Sequence, residues 1–141
     1  MTRALGVDLG SRRIGLATSD PSGVLASPLR VLLRAGDVAD DHAAIVAAAL
    51  EIEAGTIVVG LPISLDGRRG PAARSVLAEV DALRELARPS GVEVDTYDER
   101  FSTVTAEQGL RDAKVKGSKR RARIDAAAAT VILQSWLEAQ R

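Results

Sequence analysis

The chain has 141 residues, of which 46% are hydrophobic and 27% charged, with one histidine and no cysteine. This length suits one domain with an ordinary hydrophobic core, so we expect a single domain over residues 1–141. The lack of cysteine excludes disulfides, thiolate catalysis and cysteine-ligated metal sites, and agrees with a location in the reducing cytoplasm. No apolar run approaches the roughly 20 residues of a membrane span, and the N-terminus does not resemble a signal peptide.

Positive charge is concentrated in one segment of a chain whose formal net charge is zero. Residues 114–123 carry six lysines or arginines and no acid, which leaves the rest of the chain at −6. Such a run is often only a solvated loop. Beside a cluster of acids it instead predicts a pliable arm that binds backbone phosphates. Its nucleic-acid-binding candidates are Lys119, Arg120 and Arg121.

Apolar periodicity predicts nine elements. Five segments predict strands: residues 3–9, 14–19, 24–33, 56–60 and 92–97. Four segments predict helices: residues 39–54, 71–88, 102–113 and 121–140. Pro28 interrupts the third strand and favours an edge position for it. The order βββαβαβα, whose last α comprises the two consecutive helices, predicts an α/β fold, a mixed five-stranded sheet with helices packed on it, and this is the order of a ribonuclease-H-like fold.

Acidic residues occur where this topology would bring them together. Asp8 ends the first strand among apolar neighbours, and Asp98 and Glu99 end the last one. Asp125 precedes apolar residues at positions i+3, i+4, i+7 and i+11, so it shares the inward stripe of the last helix. Converging carboxylates need cations, and in a chain without cysteine ligands the hard ions Mg²⁺ and Mn²⁺ fit best.

Each acid also has a purely structural explanation. Asp8 could satisfy a turn, and Asp98 or Glu99 could pair with Arg100 or cap a following helix. Asp125 could be an acid favoured by the dipole of its helix. Their coincidence at one expected place in the fold favours a metal site over these separate roles.

Arginines lie near these acids. The loop over residues 61–70 brings two arginines and several backbone amides to a strand end, where ligands often bind, although it could be only a connection. We interpret Trp136 as a core anchor and His42 as a surface residue. The further nucleic-acid-binding candidates are Arg12, Arg13, Arg68, Arg69 and Arg100.

Four blocks of sequence resemble the YqgF/RuvX family. In chain order they are GVDLGSRRIGLATSD (residues 6–20), VGLP with DG (59–62 and 66–67), DERFST with AE (98–103 and 106–107), and IDAAA with IL (124–128 and 132–133). The resemblance covers nearly the whole chain and implies a ribonuclease-H-like, divalent-metal-dependent nuclease. It also implies that the metal-binding and catalytic acids are Asp8, Glu99 and Asp125, with Asp98 as a further candidate ligand.

The resemblance implies two alternative substrates. One is structured RNA, the 5′ end of the 16S ribosomal RNA precursor in ribosome biogenesis, which we favour. The other is branched DNA, cut by a Holliday junction resolvase in recombination and repair. A resolvase would be expected to work as a symmetric dimer, so a homodimer is one expected assembly.

Two other classes of protein share part of this pattern. The Asp-x-Gly hairpin also opens actin-like ATPases and sugar kinases, but those proteins need two such domains, and 141 residues suit one. A non-catalytic nucleic-acid-binding adaptor would gain nothing from acids gathered near phosphate. Both alternatives are therefore less favoured than the nuclease.

Overall fold

The strands form one sheet with helices on both of its faces. The computed structural model describes residues 2–63, 67–101 and 118–140, and of Phe101 and residues 118–125 the backbone alone. The strands are β1 (Arg3–Leu9), β2 (Arg13–Ser19), β3 (Ala26–Leu33), β4 (Ala54–Leu61) and β5 (Glu93–Asp98). The helices are α1 (Val38–Glu51), α2 (Pro71–Ala87) and α3 (Ser118–Ala139), and single 3₁₀ turns cover Arg88–Ser90 and Glu99–Phe101.

The sheet is mixed, as predicted. Its strand order is β3-β2-β1-β4-β5, with β3, β2 and β1 antiparallel and with β1, β4 and β5 parallel. β3 lies at the edge, which confirms the prediction from Pro28. The parallel strands β1, β4 and β5 therefore end at the same side of the sheet, which is where ligands bind in many open sheets of this kind.

Two apolar layers hold the helices on the sheet. α1 and α2 cover one face, where Leu5, Val7 and Val59 belong to a core with Leu83. α3 covers the opposite face, where Ala4 and Val58 are buried with residues of the helix. Because side chains alternate along a strand, the odd- and even-numbered residues of β1 point to different layers.

The last helix begins earlier than predicted. α3 starts at Ser118 rather than at residue 121, so Lys119, Arg120 and Arg121 belong to a helix and not to a pliable arm. Lysine, arginine and alanine are strong helix formers, and residues 118–125 contain no glycine or proline to stop the helix. The predicted helix over residues 102–113 lies outside the described residues.

The single histidine lies in the protein interior. His42 on α1 is 3% exposed, and its Nε2 is 2.9 Å from Glu79 Oε1, so its prediction as a surface residue is wrong. A buried polar partner on α2 makes this position acceptable for an imidazole. Trp136, in contrast, is buried as predicted, and its Nε1 donates a hydrogen bond to Asp95 Oδ2.

Among the helices in the described part of the chain, none is both long enough and apolar enough to cross a membrane.

Candidate metal and nucleic-acid site

The end of β1 presents Asp8 on the face of the sheet that α3 covers. Every second residue of a strand points to the same face, so Asp8 shares this face with Ala4 and Gly6. α3 approaches very closely here, since a Cβ atom on Gly6 would lie 2.7 Å from Leu133 Cβ and 2.9 Å from the carbonyl oxygen of Ala129. Glycine at position 6 therefore lets the helix lie directly against the strand that bears Asp8.

Glu99 reaches the same face from the other side of β4. The register pairs Val7 with Val59, so Asp8 and Gly60 follow side by side on adjacent strands. A Cβ atom on Gly60 would lie 3.4 Å from the carboxyl carbon of Glu99 and 2.5 Å from Ile132 Cδ1. The Glu99 carboxyl group thus lies over Gly60, between α3 and the end of β4. An added Cβ at position 60 would crowd Ile132, so glycine lets that residue of α3 lie against the end of β4.

Burial disfavours the negative charge of Glu99. Its pKa is raised above the ordinary value, first by burial and then by the nearby charge of Asp98. Glu99 begins a 3₁₀ turn, so the chain leaves the strand conformation directly after Asp98. Strand alternation therefore does not separate these two acids, and their carboxylates interact.

Asp98 is bound by its own neighbour. Arg100 donates to Asp98 Oδ2 from Nε at 2.9 Å and from Nη2 at 2.6 Å, and its backbone N–H donates to Oδ1 at 2.9 Å. The side-chain hydrogen bond from Arg100 lowers the pKa of Asp98, in the opposite direction to Glu99. Of the two acids, Glu99 is thus the one whose carboxyl group lies against Gly60, on the face of the sheet that α3 covers.

Asp125 lies on α3 before the residues that contact the sheet. Ala128, Ala129, Ile132 and Leu133 are buried, which confirms the inward stripe of this helix. Asp125 continues the stripe in sequence, seven residues or about 10 Å before Ile132, towards the carboxyl ends of the parallel strands. Its side chain lies outside the description, and the described side chains by themselves form no cluster of three or more metal-binding groups.

The predicted arginines have different environments. Arg12 is exposed in the β1–β2 turn, Arg13 is half-buried, and Arg68 and Arg69 are exposed before α2. A Cβ atom added to Gly67 would lie 3.3 Å from Arg100 Nη1, so the loop before α2 approaches the turn after β5. The side chains of Lys119, Arg120 and Arg121 lie outside the description.

Gly60 is a residue of this site that the sequence analysis did not single out. An isolated glycine inside a strand often marks the close approach of another group. In this protein the approaching groups are Glu99 and Ile132. The glycine between the apolar residues Val59 and Leu61 was therefore a signal in the sequence that another group approaches this position.

Comparison with known proteins identifies the family of this chain. The family model described as "RuvX: Holliday junction resolvase" matches residues 2–139. The chain belongs to the RuvX family. Two RuvX relatives carry the name "Putative pre-16S rRNA nuclease": one from Mycobacterium sp. (strain KMS), 45% identical over 99% of this chain and 81% of its own length, and one from Anaeromyxobacter sp. (strain Fw109-5), 47% identical over 96% of both. The family description and these names agree on a nuclease activity.

Solved structures show the same fold for this RuvX chain. RuvC from T. thermophilus, solved in complex with a Holliday junction substrate, matches with a TM-score of 0.63 at 18% identity, over 99% of this chain and 96% of RuvC. A second structure of Thermus thermophilus RuvC matches with a TM-score of 0.58 at 17% identity. At this identity the likeness concerns the fold, and it confirms the predicted ribonuclease-H-like class.

Proposed function

We propose that the protein is a divalent-metal-dependent endonuclease that cleaves structured RNA, with the 5′ end of the 16S rRNA precursor as its substrate. The observation that carries the proposal is the Glu99 carboxyl group lying over Gly60, on the α3 face, beside the strand that presents Asp8. The names of relatives at 45% and 47% identity support RNA as the substrate. This function would also place the protein in the cytoplasm.

The donor set fits a hard divalent ion. Asp8 and Glu99 offer carboxylate oxygens, Asp125 would add a third from α3, and Mg²⁺ and Mn²⁺ prefer oxygen ligands. Burial raises the pKa of Glu99, and a bound cation would favour the charged form of its carboxyl group. The chemistry supplied by bound ions is activation of water and neutralisation of charge on the phosphodiester.

The basic residues would bind and orient the substrate. Arg12 and Arg13 follow the strand of Asp8. Arg68 and Arg69 directly follow Gly67, the residue of the loop before α2 that Arg100 approaches. Arginine binds phosphate through two parallel N–H groups, so these positions can align a backbone with the acids. Arg100 has a second task, because it keeps Asp98 bound and leaves Glu99 as the acid that faces α3.

Branched DNA is the second candidate substrate. The family description names a Holliday junction resolvase, and RuvC, which shares the fold, was solved with a Holliday junction. A resolvase cuts two strands in concert and would be expected to act as a homodimer. RNA is favoured because the relatives with the higher identity carry the RNA name.

Cleavage of both substrates by one preparation tests the proposal. We expect cleavage of a pre-16S RNA fragment that depends on Mg²⁺ or Mn²⁺, and at least tenfold slower cleavage of a four-way DNA junction. Asp8→Asn should lower turnover at saturating Mg²⁺ by about a hundredfold or more, because it removes a ligand charge. Asp20→Asn is the matched control, since the Asp20 side chain accepts hydrogen bonds from the backbone N–H groups of Val24 and Leu25 in the β2–β3 turn.

The other outcomes are equally informative. Faster cleavage of the junction would assign DNA as the substrate. Binding of RNA without cleavage at any concentration of Mg²⁺ or Mn²⁺ would identify an adaptor. An Asp8→Asn variant with the turnover of the wild type would show that Asp8 is not a ligand.

A further inference from the structure

Four polar side chains connect the β1–β2 turn with both helices on the face opposite α3. They are well shielded from solvent: the side chains of Arg34, Asp41, His42 and Glu79 are 17%, 4%, 4% and 13% exposed. Arg34 directly follows β3, Asp41 and His42 lie on α1, and Glu79 lies on α2. None of them belongs to the candidate site described above.

Arg34 is held by two carboxylates. Its Nη1 donates to Glu79 Oε1 at 2.7 Å and to Asp41 Oδ2 at 3.2 Å, while Nη2 donates to Glu79 Oε2 at 3.0 Å. His42 Nε2 also contacts Glu79 Oε1, at 2.9 Å. The two hydrogen bonds that Arg34 donates to Glu79 define the plane of the guanidinium group and raise the pKa of Arg34, so the group stays charged.

The remaining edge of that guanidinium group points at the turn after Asp8. Arg34 Nε donates to the carbonyl oxygen of Gly10 at 3.0 Å, and the Arg34 backbone N–H donates to the Arg12 carbonyl at 2.9 Å. The Gly10 N–H in turn donates to the Asp8 carbonyl at 3.1 Å. Arg34 therefore restrains a turn that is directly hydrogen-bonded to the backbone of Asp8.

Stability alone is a poor reason for such a cluster. Burying charges costs free energy, and well-packed apolar residues often stabilise a core equally well. What a guanidinium group adds is geometry, because its planar fork fixes the direction of each hydrogen bond. The turn needs such a restraint from outside, because Ser11 and Arg12 are exposed and contribute no side chain to the core.

We propose that Arg34 is a positioning residue of the nuclease: held by Glu79 and Asp41, it fixes the β1–β2 turn and thereby the position of Asp8 for metal binding. The proposal rests on the proposed function, since it takes Asp8 as a metal ligand. Ligand groups must lie within about 0.5 Å of their working positions, so a loosened turn weakens metal binding without removing any ligand.

The test compares Arg34→Lys with a control variant of similar stability. Lysine keeps the positive charge but lacks the fork, so it cannot hold Gly10 and both oxygens of Glu79 in one plane. Val80→Ala is the matched control: Val80 follows Glu79 on α2, is 1% exposed, and can be truncated without removing a bond to Arg34. Mn²⁺ is titrated calorimetrically into each protein without nucleic acid, and cleavage of the RNA fragment is then measured against Mn²⁺ concentration.

We expect Arg34→Lys to weaken Mn²⁺ binding about tenfold and to raise the Mn²⁺ concentration for half-maximal cleavage by the same factor. RNA affinity in EDTA should equal that of the wild type. Val80→Ala should lower the melting temperature and leave Mn²⁺ binding unchanged. Glu79→Gln should shift Mn²⁺ binding in the same direction as Arg34→Lys by a smaller factor, because it frees the guanidinium group without removing it.

Three results would overturn the proposal. One is wild-type Mn²⁺ affinity in Arg34→Lys, and another is an equal loss of affinity in Val80→Ala, which would reflect general destabilisation. If Arg34→Lys does not unfold cooperatively, the Glu79→Gln variant tests the proposal in its place. Wild-type Mn²⁺ affinity in Glu79→Gln would then be the third result that overturns it. A wild-type protein that binds Mn²⁺ but cleaves neither nucleic acid would contradict the proposed function alone.

Discussion

Two neighbouring acids at the end of β5 have opposite electrostatic environments. Arg100 binds Asp98 and lowers its pKa, while burial raises the pKa of Glu99. The protein therefore holds the Asp98 carboxylate in hydrogen bonds with Arg100 and places the Glu99 carboxyl group where burial disfavours its negative charge. That division favours Glu99 as the ligand and Asp98 as the group that orders the turn.

Glu99→Gln should impair cleavage more than Asp98→Asn does. It should also stabilise the metal-free protein at neutral pH, because the folded state disfavours the ionised carboxylate that glutamine replaces. The pKa of Glu99 is raised in the folded state, so wild-type stability decreases as the pH rises through that pKa. The stability advantage of Glu99→Gln should thus grow between pH 4 and pH 7, as measured by urea unfolding in EDTA.

Saturating Mn²⁺ should reverse the order of stability, because only the wild type has the full ligand set. Asp98→Asn is the control with the same charge change, and it should destabilise the metal-free protein by weakening the contact with Arg100. A crystal structure with Mn²⁺ bound to Asp98 and not to Glu99 would assign the roles the other way.

At the scale of elements, α3 combines close packing with unusual charge. Ala129 and Leu133 approach the sheet where β1 has Gly6, and Ile132 approaches it where β4 has Gly60. The first turn of α3 carries Lys119, Arg120 and Arg121, and no acid. Cations at a helix N-terminus oppose the helix dipole, so the charges of these residues offset part of the stability that their helix propensity provides. An anionic ligand would give them a favourable partner.

The triple variant Lys119→Gln, Arg120→Gln, Arg121→Gln should weaken binding of RNA and DNA to similar degrees. The slope of log K against log salt should fall by about 0.7–0.9 for each phosphate contact that is lost. Turnover at saturating RNA should change much less, since no acid is removed. Glutamine keeps the helix propensity of the segment, so the folded fraction should not decrease.

A second triple variant separates local contacts from net charge. Arg30, Arg84 and Arg88 lie on β3, α2 and the 3₁₀ turn that follows α2, and their replacement by glutamine changes the net charge equally. This variant should keep the wild-type salt slope for RNA binding. If both triple variants behave like the wild type, the first turn of α3 does not bind phosphate.

At the scale of the whole molecule, the sheet separates two layers of different chemistry. The α3 layer is apolar and holds the candidate acids at its margin. The layer of α1 and α2 combines an aliphatic core with a cluster of polar side chains that are shielded from solvent: Arg34, Asp41, His42 and Glu79. Glu79 in the layer of α1 and α2 should therefore contribute acid sensitivity to the fold at a place away from the acids of the site.

Glu79→Gln should make stability less dependent on pH in acid. Burial raises the pKa of Glu79, but hydrogen bonds from Arg34 and His42 outweigh it and bring the pKa below 4.5. A lowered pKa gives stability that is present above the unfolded value and is lost as the pH falls through the folded value. Urea unfolding from pH 7 to pH 3 should show a steep loss below about pH 4.5 for the wild type and a flatter curve for Glu79→Gln.

Glu51→Gln is the surface control. Glu51 also has a lowered pKa through its bond with Arg30, but both side chains are exposed, so the pair contributes little to stability. Its pH profile should follow the wild type. Identical profiles for all three proteins would mean that the buried cluster does not control acid stability.

The sequence by itself determined the order of the elements and the positions of the acids along the chain. Strand and helix periodicities are local properties, and they predicted the mixed sheet, its edge strand and the inward stripe of α3. The same spacing contained a signal that was not used, since His42 precedes Ile45, Val46 and Ala49 by three, four and seven residues. Its burial could therefore have been predicted, although its partner on α2 could not.

The tertiary structure decided which groups meet. The contact of Glu99 with Gly60 depends on the register of β4 against β5 and on the 3₁₀ turn after Asp98, and neither leaves a periodic pattern in the sequence. The contact between Arg34 and Glu79 joins residues 45 positions apart, and the pKa of Glu99 depends on burial that only the folded chain provides. Such properties depend on packing between distant segments, so they exist only once the sheet and both helical layers have assembled.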